Sequence, residues 1–395
     1  MVGAHRTTTQ LAAAAALHPG HSSQALPVRR SGVAKSTNPD ALGTPRAALR
    51  SVGPGAAVTN PQSFNGPGLE ADVFPPDTQG DVGPNQFFIT LNSRFRTYTK
   101  AGIPDRVIDQ TPEAFFAPAM SPLPAPPDDC NVASDPHVRY DRLSQRWFIV
   151  MIDVPGCTGS LPNRVMIAVS DTATLTAQTV WTFFHIAAPA GSFADYPTLG
   201  IDANALYIGV NDFAAATGTF AESDGYVVQK SSVLGAGPIV STRFTLATGA
   251  GPGPFTPQGV DDPYDADANG YFLGVDNGEF STLDLVRISD PGGTPSAATL
   301  PFSVPSTASP LPVPHQGNTA GANGFLDAVD DRLYEATMTA DGHIWTAHNI
   351  GVNASGVASN ATRDGSRWYE INPATGPSLA QSGTIFDSAA TNPTF

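Results

Sequence analysis

The chain has 395 residues, 41% of them hydrophobic, which is enough for one large domain or two ordinary ones with a buried core. Its 35 acidic and 20 basic residues give a net charge of −15, which excludes a general nucleic-acid binder because phosphate recognition needs a basic surface. No apolar run reaches the length of about 18 residues that a membrane-spanning helix needs.

The composition favours an all-β fold. The 35 acidic residues are 29 Asp and only 6 Glu, lysine occurs three times, and Gly and Pro together make 75 residues. Glu and Lys fill the surfaces of helices, whereas Asp, Gly and Pro fill turns. This pattern is typical of short strands joined by many turns.

Residues 1–65 differ from the rest of the chain. They are rich in Ala, Ser, Thr, Gly and Pro, and six of the seven charged residues among the first fifty are basic. Such a segment buries too little apolar surface to offset its ordering entropy, so it predicts a disordered leader. The short apolar run at 11–17 also leaves open a cleavable export signal.

A strand-like segment recurs along residues 66–395. The best copies read Asn, a small or polar residue, three large apolar residues, Thr or Gly, one apolar residue, and Asn or Asp. The segments begin at positions 85, 145, 204, 269 and 331, so their spacing is 59 to 65 residues.

A period near 60 suits a four-stranded antiparallel blade, and the continuous apolar runs suit inner strands buried between neighbouring blades. The sequence therefore predicts a β-propeller of four-stranded antiparallel blades, with five repeats visible and the start of a sixth near residue 392. The alternative is a two-domain β-sandwich protein. A repeat that stops within a blade also predicts that 66–395 is a C-terminally incomplete part of a six- or seven-bladed parent.

The two cysteines flank the second repeat. Paired residues in an antiparallel hairpin have a constant index sum, here about 287, and Cys130 and Cys157 have that sum. They are expected to form a disulfide across the base of the hairpin, which favours an oxidising compartment. Two unrelated free thiols are the alternative.

Several motifs resemble a known family. The opening Pro75-Pro-Asp-Thr-Gln-Gly-Asp-Val-Gly-Pro-Asn85, with later segments at 134–143, 345–349 and 365–370, is similar to secreted bacterial β-propeller proteins. That family is largely uncharacterised and loosely sialidase-like in architecture. The resemblance covers about 70–395 and implies a propeller and export to the cell exterior. It implies no particular reaction.

An Asp close to a Pro opens four of the five repeats: Asp77, Asp135, Asp195 and Asp262. If the first strand of each blade lines the channel, these carboxylates converge at one end, where they could bind sugar hydroxyls or a cation. The competing interpretation is that each accepts backbone N–H groups in a turn.

A second acidic group has the spacing of a calcium loop: Asp265, Asp267, Asn269 and Asp276. The segment also aligns with a blade hairpin in the neighbouring repeat, and its twelfth position is Asp rather than Glu. Calcium is therefore predicted only as an optional ligand, and no cofactor is required.

Candidate catalytic residues lie in the second repeat. His137 and Arg139 share one face of a strand by alternation, and Asp135 precedes them. A grouping of His137 and Arg139 with the neighbouring Tyr140 at the channel mouth could serve a polysaccharide lyase or orient an acidic sugar. Sialidase-type chemistry would need an arginine cluster, for which Arg94, Arg139 and Arg164 are available, and a Tyr–Glu pair such as Tyr369 and Glu370. A structural, hydrogen-bonded role is the alternative for each histidine.

The sequence thus favours a secreted binding or interaction module for an extracellular glycan or another surface polymer. The alternative is a glycan-cleaving enzyme, sialidase-like or of lyase type, acting at the channel mouth. A polysaccharide is the expected partner and a protein partner stays open. Nucleic acid and a membrane span are not expected.

Overall fold

The computed structural model describes residues 3–15, 24–25, 35–38, 63–68, 73–123, 130–314, 317–374 and 376–388. The elements before the first blade are short. They are β1 (Ala4–Thr7), α1 (Thr8–Ala15), β2 (Gln24–Ala25), β3 (Ser36–Thr37) and β4 (Val73–Phe74).

The first blade is a four-stranded antiparallel meander. Its strands are β5 (Gln79–Val82), β6 (Gln86–Thr90), β7 (Phe95–Thr99) and β8 (Pro104–Gln110). A one-turn helix, α2 (Pro112–Phe116), follows the outermost strand. The Thr111 side chain caps it by accepting a hydrogen bond from the Ala114 N–H, and Pro112 stands in the first turn, where no N–H is needed.

The second blade has the same order with one added strand. Its strands are β9 (Asn131–Asp141), β10 (Arg146–Pro155), β11 (Arg164–Ser170) and β12 (Val180–Ala187). Strand β1 pairs antiparallel with β12 and so forms the outer edge of this sheet.

In the third blade, the first strand is split into two pieces, both paired with the second strand. The elements are β13 (Ser192–Asp195), β14 (Gly200–Ile201), β15 (Ala205–Ala214), β16 (Phe220–Gln229), α3 (Lys230–Val233) and β17 (Ser241–Thr248).

The fourth and fifth blades form one continuous sheet because their first strands pair in parallel. The fourth consists of β18 (Pro254–Asp261), β19 (Gly270–Asp276), β21 (Thr282–Ser289) and β22 (Ser296–Ser303). The short β20 (Glu279–Phe280) lies between its second and third strands and pairs with β3. A 3₁₀ turn (Gly321–Gly324) precedes the fifth, which consists of β23 (Leu333–Met338), β24 (Ile344–Val352), β25 (Arg363–Asn372) and β26 (Ser378–Ile385).

Apolar side chains fill four successive interfaces between blades. Phe88 of the first blade and Trp147 of the second belong to one buried cluster. Further clusters join the second blade to the third, the third to the fourth, and the fourth to the fifth. The inner strands of the second, third and fourth blades are therefore buried on both faces, which explains their continuous apolar runs.

The first strands come close together at the centre of the molecule. A Cβ on Gly209 would lie 1.8 Å from the carbonyl oxygen of Pro257, so the third and fourth blades approach to backbone contact there. Arg139 of the second blade reaches Glu335 of the fifth. Five meanders in chain order, with their first strands around a common channel, form the predicted all-β propeller.

Four of the five predicted repeat positions are confirmed. The segments at 85, 145, 204 and 269 are the second strands of their blades. The segment at 331 is wrong as a copy of that strand: it holds β23, a first strand, and the second strand of the fifth blade begins at Ile344. The match failed because both kinds of strand are short apolar runs after a turn. The sixth repeat expected near 392 lies outside the described residues.

The disordered leader predicted for 1–65 is wrong for its first described part. Strand β1 adds an edge strand to the second blade, and Leu11 of α1 is 2% exposed within the core between the first two blades. Lys35 also forms a buried ion pair with Asp331, with 2.9 Å between Nζ and Oδ1. The pairing of β1 with β12 and the burial of Leu11 hold residues 4–15 against the blades. Amino-acid composition cannot predict either contact. Most of the remaining leader lies outside the described residues.

The predicted disulfide between Cys130 and Cys157 is present. The hairpin pairs Arg146 with Asp141 and Val150 with His137, both at the predicted index sum. A bulge then shifts the register by one residue, and the bond closes the hairpin beyond it.

Candidate functional site

A residue with positive φ lies in or next to the first strand of every blade. The five residues are Asp77, Asp135, Tyr196, Thr256 and Glu335, with φ between 43° and 59°. Left-handed geometry is uncommon outside glycine and marks bulges that re-aim side chains. These bulges turn polar groups toward the channel.

A cavity of about 530 Å³ opens from the channel along the face of the fifth blade. Its lining comes from blades one, two, four and five, and consists of Gly80, Asp81, Arg139, Asp261, Tyr334, Glu335, Ala336, Thr337, Trp345, Thr346, Ala347 and Trp368. We call this cavity the channel pocket. It holds one cationic side chain and three carboxyl groups.

Arg139 is the electrostatic centre of the channel pocket. Its side chain is largely buried, and Nη2 lies 3.2 Å from Oε1 of Glu335. The charges of Asp261 and Asp81 also act on the guanidinium. Asp81 is fixed by two backbone donors, since it accepts hydrogen bonds of 2.6 Å from the N–H groups of Tyr140 and Val82.

Two carboxyl groups of the channel pocket have pKa values shifted in opposite directions. Burial raises the pKa of Asp261 to about 6, with smaller contributions from Asp81 and Asp141, although Arg139 opposes the shift. Burial also acts to raise the pKa of Glu335, but the charge of Arg139 and its hydrogen bond outweigh it and hold that pKa below its usual value. At mildly acidic pH one group is protonated and the other ionised.

Two tryptophans form a flat apolar surface beside these charges. The rings of Trp345 and Trp368 are stacked, with centroids 5.6 Å apart and planes at 18°. They come from β24 and β25, where alternation places Trp345, Ala347 and Trp368 on the face away from the core. We call this pair the tryptophan platform.

The carboxylates predicted to converge do so only in part. Asp77 and Asp135 are hydrogen-bonded to one another, and burial together with the charge of Asp135 raises the pKa of Asp77 to about 7. Asn92 bridges them by donating to Asp77 Oδ2 at 2.8 Å and accepting from the Asp135 N–H at 2.8 Å.

The third and fourth blades break the expected ring. Tyr196 occupies the bulge of the third blade, and its N–H donates to Asp135 at 3.1 Å. Asp195 is one residue earlier, paired in β13 with Asn211. Asp262 follows its strand and accepts from the N–H groups of Tyr264, Ala266 and Asp267, which is the alternative turn role.

Arg332 neutralises the Asp77 end of the channel. Its Nε and Nη2 each lie 2.7 Å from an oxygen of Asp330, and its guanidinium lies 4.6 Å from the centroid of Tyr196. It is 4% exposed and also acts on Asp77. This end is therefore a closed network, whereas the Arg139 end is open to a ligand.

His137 lies beside Arg139, as strand alternation predicts. It is buried, and burial together with the charge of Arg139 lowers its pKa to about 4. The imidazole is therefore neutral at ordinary pH. Of the three catalytic candidates, Arg139 alone lines the channel pocket; His137 stands behind it and Asp135 belongs to the Asp77 network.

The four residues of the calcium-loop hypothesis do not come together. Strand β19 separates Asp276 from Asp265, Asp267 and Asn269 by about 20 Å at the rise of an extended strand. Asp276 accepts from the backbone of Gly253, Gly278 and Glu279. Asp267 accepts from the Tyr271 hydroxyl at 2.6 Å and from Asn269.

The sialidase-type arginine cluster is not assembled either. Arg94 pairs with Asp109, and Arg164 donates to the carbonyl groups of Ala119 and Met120, so neither accompanies Arg139. Tyr369 is fully buried and 3.0 Å from Nε2 of His348, while Glu370 binds His343.

Sequence reasoning missed five residues of the channel pocket, which are Asp81, Asp261, Glu335, Trp345 and Trp368. Asp81 lies in the motif Pro75–Asn85, and Asp261 directly precedes the predicted Asp262. Trp345 and Trp368 lie in the family-like segments 345–349 and 365–370. The available signal was that these residues fall in or next to first strands or on an exposed face.

No family model matches the chain, and no curated protein matches it. Solved structures with a distant likeness include a GH43 β-1,3-galactosidase, at 10% identity and TM-score 0.37, over 76% of this chain and 57% of that one. An exo-β-1,3-galactanase from Bifidobacterium bifidum s17 has 12% identity and TM-score 0.36, and the match covers 78% of this chain and 92% of the galactanase. An α-L-arabinanase from Penicillium chrysogenum has 11% identity and TM-score 0.38, and the match covers 79% of this chain and 94% of the arabinanase.

Likeness at that level assigns no activity, so the function is argued from the channel pocket alone. Within the described residues, no helix is long and apolar enough to cross a membrane.

Proposed function

We propose that the chain binds a glycan in the channel pocket and hydrolyses its glycosidic bonds. The observation that carries this proposal is the pair Asp261 and Glu335, two carboxyl groups in one cavity with pKa values moved apart around a shared arginine. Glycosidases commonly use one protonated and one ionised carboxyl group on the two sides of the scissile bond.

Each group has a defined role in this proposal. Asp261, with a pKa of about 6, donates its proton to the glycosidic oxygen as the bond to the anomeric carbon breaks. Glu335 accepts a proton from the water that attacks this carbon, and Arg139 keeps Glu335 ionised until then. The products are two shorter glycans, one with a new reducing end.

The tryptophan platform supplies binding. Sugar rings have apolar C–H faces that pack on aromatic rings, and Trp345 and Trp368 lie along the same wall as Glu335. A polymer lying on the platform would lead one glycosidic bond toward the channel. A polysaccharide is therefore the proposed partner.

The test is release of reducing ends from a panel of plant, microbial and animal polysaccharides at about pH 5, between the two carboxyl pKa values. Wild type is expected to release product from at least one polymer, and Asp261→Asn and Glu335→Gln to abolish it. Glu279→Gln is the matched control because Glu279 is an exposed carboxylate on the edge strand β20. Absence of product from every polymer would overturn the proposal.

A binding module without turnover is the second candidate. The tryptophan platform favours it, since stacked rings retain a polymer without any chemistry. Co-sedimentation of the folded chain with a polymer from which it releases no new reducing ends would establish that the chain is a binding module. Loss of that retention in Trp368→Ala would place the binding on the platform.

We also propose that the protein works outside the reducing cytosol. The Cys130–Cys157 bond closes a hairpin of the second blade, and stable disulfides are typical of oxidising compartments. Fractionation of a producing cell, with the free thiols counted under denaturing conditions, tests this. Reduced chain recovered from the cytosol would contradict it.

A further inference from the structure

Three carboxylates meet in the third blade, away from the channel pocket. Asp212 of β15 is paired with Glu222 of β16, and Asp224 is two residues further along β16. One oxygen from each of the three lies within 4.8 Å of the others. Period-two alternation puts all three on the face of the sheet that packs toward the second blade. We call them the blade-three carboxylates.

The blade-three carboxylates are buried and incompletely paired. Asp212 and Asp224 are both 0% exposed. Within the described part of the chain, no N–H or O–H group donates to either oxygen of Asp212 or to Oδ1 of Asp224, although the two carboxyl groups are within hydrogen-bonding distance of each other. A buried polar atom without a partner costs about 1–3 kcal/mol, and more when it is charged. Three such oxygens in one place therefore indicate an absent partner.

A neighbouring hydroxyl gives an independent indication. Tyr226 is 3% exposed, and its hydroxyl also lacks a hydrogen-bond partner among the described residues. It is on the same face, two residues beyond Asp224, and the charges of Asp212 and Asp224 act on it. A tyrosine hydroxyl is normally satisfied when buried, so this one also faces the unfilled position.

The local charge defines what is missing. Arg243 of β17 binds Oε1 of Glu222 and Oδ2 of Asp224, and it is the cation that acts on Asp212. Three carboxylates and one guanidinium leave a formal charge of −2. A buried site with that charge is strongly unfavourable unless a proton or a cation offsets it, and burial together with the contact to Asp224 raises the pKa of Asp212 when no metal is bound. One divalent cation would offset that charge.

We infer that the blade-three carboxylates bind a calcium ion. The donors are all oxygens, which excludes a zinc site of the usual nitrogen and sulfur type. Magnesium keeps several of its waters, and the fully buried Asp212 and Asp224 leave little room for them. Calcium accepts an irregular set of carboxylates, including both oxygens of one group, as Asp212 offers.

The position gives the ion a structural role. It would link β15 to β16 beside the core that joins the second and third blades. The site is separate from the proposed catalysis. It is also separate from the loop at 265–276, whose carboxylates already accept backbone hydrogen bonds.

A second acidic group in the protein serves as a control. Asp341, His343 and Glu370 also have ligand atoms within 4.8 Å of one another. They are more exposed, and His343 and Glu370 already bind each other at 2.6 Å. Glu370→Gln therefore removes a carboxylate of the same kind without touching the blade-three carboxylates.

The experiment is calorimetric titration of the full chain, freed of metal by dialysis against chelator, with calcium chloride and in parallel with magnesium chloride. Wild type is expected to bind one calcium per chain, at least about tenfold more tightly than magnesium, and to melt about 3 °C or more higher with saturating calcium. Asp212→Asn is expected to weaken calcium binding about 100-fold, whereas Glu370→Gln leaves it unchanged.

Asp212→Asn keeps the shape of the side chain and removes a repelled charge, so it should fold without metal. Its melting curve in chelator checks this, and Tyr226→Phe supplies a second variant with weaker calcium binding expected. No calcium bound by wild type at roughly 1 mM would mean that a shared proton holds Asp212 and Asp224, which overturns the inference. Equal binding by wild type and Asp212→Asn would overturn it too.

Discussion

Replacing Asp261 by Asn should make the protein more stable at neutral pH while removing the proposed acid. Burial raises the pKa of Asp261 from 3.8 to about 6. A shift of that size corresponds to about 3 kcal/mol of free energy, by which the ionised carboxylate destabilises the folded chain. Asn has the same shape, carries no charge and can still accept the hydrogen bond from the Ile201 N–H.

The sign of the effect follows from the direction of the shift. The folded state holds the Asp261 proton more tightly than the unfolded state, so this stabilisation is fully present below pH 3.8 and is lost as pH rises to about 6. The advantage of Asp261→Asn over wild type should therefore be about 1 kcal/mol at pH 4.5 and about 3 kcal/mol at pH 8.

Urea unfolding of both proteins at these two pH values measures the difference, and melting curves should show an upward shift of about 4 °C at pH 8. Glu279→Gln, which removes an exposed carboxylate, should show no comparable gain. If Asp261→Asn were less stable than wild type at pH 8, the carboxylate would be a net stabilising partner of Arg139. That result would refute the raised pKa and with it the acid role.

Three further perturbations test the fold and the platform. Cys157→Ser removes the disulfide between cysteines 27 positions apart and should lower the free energy of unfolding in urea by about 3.5 kcal/mol. A decrease below about 1 kcal/mol would mean that the disulfide constrains the unfolded chain little. Gly209→Ala places a Cβ 1.8 Å from the Pro257 carbonyl oxygen and should lower the melting temperature sharply. The control Gly235→Ala, whose Cβ would have no atom within 4 Å, should leave the melting temperature nearly unchanged. Equal melting temperatures for the two variants would contradict the close approach of the third and fourth blades. Trp368→Ala should weaken retention of a bound polysaccharide about tenfold in a pull-down without changing the melting curve, and unchanged retention would remove the platform from the binding site.

Much of the fold could be predicted because the apolar residues of the repeated segment mark the strands that are buried between blades. The run at Leu206–Ile208 is apolar on both faces and fully buried, as an inner strand between two sheets requires. The index sum of the cysteines located the disulfide since a hairpin fixes its own register. The fifth repeat was misplaced because β23, a first strand, has the same apolar character as the second strands.

The site was harder to predict than the fold. Asp77 and Asp135 were expected to meet because each precedes the same kind of strand, and they do. Asp261 and Asp262 are adjacent, and successive strand residues point to opposite sides, so sequence could not decide which one enters the channel. Glu335 reaches Arg139 from a bulge with φ of 53°, a local bend that alternation cannot anticipate.

The most direct test of the central claim is the pH dependence of reducing-end release from the best polysaccharide found for the chain. Acid–base catalysis by Asp261 and Glu335 predicts a maximum near pH 5, an alkaline limb near the Asp261 pKa of about 6, and an acid limb where Glu335 gains a proton. Asp261→Asn should abolish release at every pH. Full activity in that variant, or release that is unchanged from about pH 4 to 9, would contradict catalysis by the Asp261 and Glu335 pair.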